Sequence, residues 1–477
     1  MVFSSTLFCF LFLPLVLALY HLGPRRLRNG VLLLASLLYY CWGEPNFLPI
    51  LAAVVAANYV FGLLLSMASD PRRRKLLVGM AVALDLGVLA YFKYARFIVG
   101  IAVNVSALLP GAHHPFAVPE ITLPLGISFF TFHVLSYVID IYRRQVPAQR
   151  NPGLLGLYIV FFPQLIAGPI VRYHEISDQL EERRTTSADL WYGMRRFILG
   201  MGKKVLLANT IAPIADAIFA LPTRDLTASL AWLGAGAYAL QIYFDFSGYS
   251  DMAVGLARLF GFRFPENFDY PYVARSMTDF WRRWHQSLSR WFRDYLYLPL
   301  GGNRVSPART YLNLALVFFL CGLWHGASWT FVMWGFLHGA FLVLERMGFG
   351  LVLAALWSPL RHLYCLVVIA ITWVLFRAAT LPMALAMVKA MIGLGSGAGT
   401  VYRPAIFVDH ERTLVLLVAV VASTPAARWL RSRLAWRLDR WPMLVDLGRL
   451  STLTGVLLLS LMQLSSGTYN PFIYFRF

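Results

Sequence analysis

Residues 321–339 read CGLWHGASWTFVMWGFLHG, a tryptophan-rich apolar run whose ionisable side chains, besides the Cys321 thiol, are two histidines, His325 and His338. The run lies within a longer apolar stretch, 311–345, which is too long for one tidy membrane crossing of about 20 residues. Cys321, Gly322, His325, Gly326 and Ser328 interrupt its middle, so two shorter helices are expected there. Ionisable groups at membrane depth are costly and usually functional. On one continuous helix the two histidines would lie roughly 220° apart, which excludes a His-x-x-x-His metal pair and asks for each to be judged alone. Gly322 and Gly326 flank His325 and leave room beside its ring, which favours His325 over His338 as the working residue.

The rest of the chain agrees with a membrane reading. Of 477 residues, 59% are hydrophobic and 14% charged, against about 45–50% and about 25% in a soluble domain. No water-facing surface of that composition covers so large a core. Apolar segments recur near 2–20, 48–67, 76–92, 121–141, 154–171, 196–220, 228–244, 363–379, 412–423 and 450–464. A shorter run, Val31–Trp42, reads as re-entrant or tilted, and the expected total is 10 to 13 membrane helices in a single integral-membrane domain spanning 1–477. Segment 2–20 has no basic residues before it and Arg25 after it, so it reads as a first membrane helix rather than a cleaved signal.

The formal charge of +19 would ordinarily raise nucleic-acid binding, but its distribution argues otherwise. Arginines and lysines come in bursts between apolar segments: Arg25, Arg26 and Arg28; Arg72, Arg73, Arg74 and Lys75; Arg143 and Arg144; Arg183 and Arg184. That is the pattern of cytoplasmic loops. The uncharged loop Pro110–Pro119 falls on the other face, and the N-terminus on the outside. Cys9, Cys41, Cys321 and Cys365 lie in apolar stretches with no Cys-x-x-Cys and no histidine-rich spacing, so neither a disulfide framework nor a metal site is expected.

Two further clusters carry polar residues where a membrane protein should avoid them. The stretch WRRWHQSLSRWFRDYLY (Trp281–Tyr297) puts Trp281, Trp284, His285, Leu288, Trp291, Phe292 and Tyr295 on one helical stripe. Arg282, Arg283, Arg290, Arg293 and Asp294 face the other way, which suits a helix lying in the interface. An inert surface anchor has no use for an imidazole on its buried stripe, and that singles out His285. The third cluster, YFDFSGYSD (Tyr243–Asp251), precedes the loop FGFRFPENFDYPY and places Asp245 and Asp251 beside an apolar helix. They call for partners, loop arginines such as Arg258 and Arg275 or capped amides, and read as architecture. Cys321, one helical turn before His325, has the chemistry of an acyl carrier but equally that of a small membrane residue.

Taken together, these segments resemble the membrane-bound O-acyltransferases, and within them the bacterial alginate O-acetylation branch. The resemblance is carried by LPLGISFFTFHVLSYVIDIYR (Leu123–Arg143), FFPQLIAGPIVR (Phe161–Arg172), IYFDFSGYSDMAVGLARLFGF (Ile242–Phe262), WRRWHQSLSRWFRDYLYLPLGGNR (Trp281–Arg304), GLWHGASWTFVMWGFLHG (Gly322–Gly339) and NPFIYFRF (Asn470–Phe477). Core motifs run from 121 to 345; 346–465 carries no signature. The resemblance implies an all-α fold around a central tunnel. It makes His325 the essential histidine and His285 a second polar residue on the path. It further implies transfer of acetyl from cytoplasmic acetyl-CoA, with no bound cofactor, to an extracytoplasmic partner protein that acetylates a polysaccharide, from a place in the bacterial inner membrane.

The residues fit such chemistry. Moving an acyl group from thioester to hydroxyl needs a base and an oxyanion donor, and a neutral imidazole suits the first task. His325 is the candidate base and His285 the group steadying the thioester end. Arg282, Arg283 and Arg290, with Trp284 and Trp324, are the candidate substrate-binding residues. A multispan transporter or flippase of a polysaccharide precursor is the alternative from another class, but paired halves with matching broken helices are not found. Peptidoglycan or cellulose are alternative acceptors by the same mechanism. D-alanyl transfer fits less well, because the WRRWH and LPLGGNR wording is closer to the acetylating branch.

Overall fold

A computed structural model describes residues 2–106, 118–438, 440–467 and 473, and within them the chain is helix and connecting loop with no strand. Most of the Pro110–Pro119 loop, and Asn470–Phe477 apart from Ile473, lie outside the described residues. Backbone amides in lipid must be satisfied within the segment that carries them, and helices do this. Leu48–Met67 is typical: twenty nearly all-apolar residues, proline in its first turn, and an end where Ala68 turns extended.

Seven described helices are long and apolar enough to cross a membrane, and eight if His410–Ala422 and Ala426–Leu434, bent by 65°, form one broken span. Phe8–Leu22, Ile127–Tyr142 and Leu381–Met391 are shorter apolar helices. The expected 10 to 13 is reached only when these are counted. The run 154–171 is not a single helix. Pro152–Val160 stops where Phe161 leaves helical geometry, and Gly168 (φ 122°) with Pro169 keeps the chain irregular. Val31–Trp42 is occupied by the 14-residue helix Arg28–Cys41.

The described residues divide into two compact units. The first holds Met1–Gly193 with short segments 256–265 and 326–328. In it, Ile127–Tyr142 packs against Leu48–Met67 and Pro71–Ser106, and Arg28–Cys41 packs on Pro152–Val160. Gly62 admits the Tyr137 ring, because a Cβ there would lie 2.7 Å from Cε1. Arg74, counted above among the loop charges, is a buried staple. It donates to the carbonyls of Leu65, Ala68, Ile141 and Tyr142, at the ends of two helices, where the last carbonyls otherwise lack partners.

The second unit holds 194–255, 266–325 and 329–477. The apolar stretch 311–345 is two helices, Pro307–His325 and Trp329–Leu344, separated as expected at 326–328. They meet at Gly322 and Gly335, where a Cβ on either would strike the other helix's backbone, including Phe331 O and Phe318 O. Of the two uses foreseen for Gly322, close helix contact is the one realised. The acidic cluster is architectural, with different partners from those expected. Asp245 pairs with Lys204 at 2.6 Å, and Asp251 with Lys203 and Arg196 at 2.7 Å each. Arg258 instead pairs with Asp189, while Arg275 donates its backbone amide to Asp279. Gly200, on helix Ser187–Gly202, and Gly248, on helix Ala228–Leu259, bring those two helices close enough for these pairs to form.

Candidate active site

The interfacial stripe is buried throughout, from Trp281 to Tyr295, but it is not one continuous helix. Met277–Arg283 ends where Trp284 turns extended, His285 sits in the left-handed region (φ 43°, ψ 53°), and Gln286–Phe292 begins beyond it. Such a backbone costs a residue other than glycine about 1–3 kcal/mol and persists where surrounding contacts enforce it. Here they are supplied by the loop that follows Pro265. Asn267 O accepts from Gln286 N (3.0 Å), and Arg283 O accepts from Asp269 N (3.0 Å).

Asn267 also fixes the His285 ring. Its Oδ1 accepts from Ser287 N (3.2 Å) and Ser287 Oγ (2.9 Å), while its Nδ2 donates to Ser250 Oγ (3.0 Å). The backbone donor at Ser287 settles which amide atom is oxygen. His285 Nδ1, 3.2 Å from that oxygen, therefore carries the hydrogen, and Nε2 keeps the lone pair. Nε2 is buried and makes no hydrogen bond among the described residues. Burial also pushes the imidazole pKa down to about 3, so the ring is neutral at any working pH. His285 is thus an acceptor held in one tautomer. No sequence signal marked Asn267 as its holder, because a loop asparagine has no periodicity.

From His285 a file of rings runs through the unit. Trp324 lies 6.2 Å from His285 and 4.8 Å from His325, Trp334 lies 5.0 Å from His325 and 4.6 Å from His338, and Trp281 lies 5.3 Å beyond. The separation of His325 from His338 inferred for a continuous helix does not hold. The break at 326–328 folds the second helix back, so that Trp334 stands between them. His338 accepts from Trp281 Nε1 at 3.2 Å, which gives it a structural task. His325, 3% exposed, is also packed against Phe376 at 5.1 Å.

A cavity of about 550 Å³ opens beside this file. Its rim carries Arg282, Arg290 and Arg293, and its deep wall is apolar, with Trp281, Phe318 and Cys321. Cys321 is one turn from His325, and Gln286, also on the wall, is next to His285. Arg283, Trp284 and Trp324 are not on the wall, and His285 and His325 stand behind it rather than on it. Arg283 is engaged by Asp279 at 2.9 Å and Asp269 at 3.6 Å, and Trp284 is stacked on Phe280 and packed against Phe268 and Trp373. Arg293, read from the sequence only as part of the outward face, joins the rim.

Fold and site together define a multi-pass helical membrane protein with a buried imidazole–indole file beside a basic-rimmed cavity. The model of the membrane-bound O-acyltransferase family matches residues 125–388, which contain both histidines and the whole cavity. The chain belongs to the membrane-bound O-acyltransferase family. It is 42% identical to the probable alginate O-acetylase of Azotobacter vinelandii over 100% of both chains. It is 35% identical to a peptidoglycan O-acetyltransferase of Helicobacter pylori over 83% of this chain and 80% of that one. A teichoic acid D-alanyltransferase of Bacillus subtilis is 30% identical over 49% of this chain and 61% of the relative.

Proposed function

We propose that this acyltransferase takes acetyl from cytoplasmic acetyl-CoA and passes it across the inner membrane for O-acetylation of an extracytoplasmic, alginate-like polysaccharide through a partner protein. The observation that carries the reading is the cavity: cationic at its rim, apolar at depth, and walled by the neighbours of both His285 and His325. Phosphates of the donor suit the guanidiniums of Arg282 and Arg290; Arg283, held by Asp279 and Asp269, and Arg293, held at two points by Asp294, are set aside for that task. His325 takes the proton of the attacking hydroxyl, the new C–O bond forms, and the C–S bond breaks with release of CoA thiolate. A positioned base contributes about 10²–10⁴-fold.

The fixed tautomer changes the role given to His285. A lone pair at Nε2 cannot donate to an oxyanion, so His285 serves as an acceptor that holds a hydroxyl or amide hydrogen in line. Full-length identity to the alginate relative favours that acceptor over peptidoglycan. The test is deletion of the gene followed by assay of ester-linked acetate on each polymer. Loss from the exopolysaccharide with restoration by the wild-type gene is expected; loss from peptidoglycan alone overturns the acceptor, and no loss overturns the function.

A further inference from the structure

Two of the basic bursts that mark loops in the sequence converge on one place in the first unit. Arg25 and Arg28, at the turn between helices Leu13–Leu22 and Arg28–Cys41, line a cavity of about 500 Å³ together with Arg183 and Arg184. Arg28 and Arg183 lie against the same ring, 5.1 and 5.7 Å from the centroid of Tyr20. Arg183 is saturated by neutral acceptors: Tyr20 Oη, Asn29 Oδ1 and the carbonyls of Phe260, Gln179 and Leu180. Arg28 Nε is buried without a hydrogen-bond partner among the described residues. None of the four guanidiniums forms an ion pair among the described residues, although exposed Glu181 and Glu182 share the rim. Four cations against two carboxylates leave a net of two uncompensated positive charges.

Loop charges that merely mark topology have no reason to be gathered around a cavity in excess of the carboxylates beside them. The neighbouring helix says which anion fits. Leu11, Leu15, Leu19 and Leu22, spaced at 4, 4 and 3 residues, form one outward stripe, each at least 52% exposed, that ends at this turn. A ligand with a phosphate at the interface and hydrocarbon running into the bilayer matches both parts. We propose that this cavity binds the headgroup of an anionic diacyl phospholipid, with the phosphate among Arg25, Arg28 and Arg184 and the chains along the leucine stripe.

The test uses the full-length protein in detergent, titrated with phosphatidylglycerol or phosphatidylcholine and read by native mass spectrometry. Phosphatidylglycerol is expected to be retained at about tenfold lower concentration than phosphatidylcholine. Arg25 and Arg184 are exposed, so R25Q/R184Q should fold and weaken phosphatidylglycerol binding by about tenfold or more. R72Q/R73Q removes the same charge from another basic burst and should leave binding unchanged. Equal retention of the two lipids, wild-type binding by R25Q/R184Q, or equal weakening in R72Q/R73Q would each overturn the proposal. So would displacement of phosphatidylglycerol by millimolar inorganic phosphate, which would make this a site for soluble phosphoryl groups.

Discussion

His285 and Asn267 work as a unit. An imidazole with one nitrogen donating to a fixed amide oxygen has only the other available for chemistry. Asn267→Ala removes the oxygen shared by the Ser287 amide and the His285 Nδ1 hydrogen, leaving Nδ1 the longer contact to Ser287 Oγ at 3.5 Å, at about 1–3 kcal/mol, and loosens the ring. We expect a lower melting temperature and a loss of transfer of about 10- to 100-fold. Asn267→Asp keeps an oxygen beside Nδ1 and adds a negative charge, which favours the protonated ring. Its pH–rate profile should therefore gain an acid limb closer to neutral than the wild type's, a change that a purely structural asparagine would not produce. The depressed pKa of His285 also has a stability sign. The folded state refuses a proton that the unfolded chain accepts below about 6.5, so this contribution is complete above that pH. It is lost as pH falls towards 3, at up to about 1.4 kcal/mol per unit. Thermal denaturation of His285→Gln against pH should show a shallower acid slope than wild type.

At the scale of elements, the sequence states burial well and backbone direction poorly. The stripe from Trp281 to Tyr295 was legible because apolar periodicity reports which side faces inward. The left-handed turn at His285 was not, since no glycine marks it and the periodicity passes through it unbroken. The break at 326–328 was legible from its glycines and polar residues, yet its consequence, Trp334 between two histidines, depends on tertiary folding back. The same limit applies to Asp245 and Asp251, whose need for partners was plain while the partners, Lys203, Lys204 and Arg196, sit 41 to 55 residues away. Two contacts hold the site's helices in place. Gly335→Ala drives a Cβ into Phe318 O and the Gly322 backbone, and overpacking of this kind costs about 1–3 kcal/mol. Because His325 lies one turn from Gly322, transfer should fall with the melting temperature. Glu345 accepts from Met277 N at 2.6 Å and Thr278 N at 2.9 Å, capping the helix that leads to His285. Glu345→Ala should cost about 1–2 kcal/mol in thermal unfolding.

For the whole molecule, the charge pattern and the apolar helices make a statement about topology. Arg74 ties the end of Leu48–Met67 to that of Ile127–Tyr142, so the basic bursts at 72–75 and 143–144 lie on one face of the first unit. With basic loops inside, single cysteines at Arg26, Arg73 and Arg144 should react with membrane-impermeant thiol reagents in inside-out vesicles and stay unlabelled in intact cells. The reverse pattern would invert the proposed direction of acetyl transfer. That direction, and the identity of the base, meet in one assay. Inside-out vesicles carrying wild-type protein or His325→Ala at equal abundance, with the extracytoplasmic partner and the polysaccharide enclosed in the lumen, are supplied with radiolabelled acetyl-CoA from outside, and label in polysaccharide is counted. Wild type should label the polysaccharide and His325→Ala should fall about 10²–10⁴-fold below it; equal labelling by the two proteins would remove His325 from the role of base.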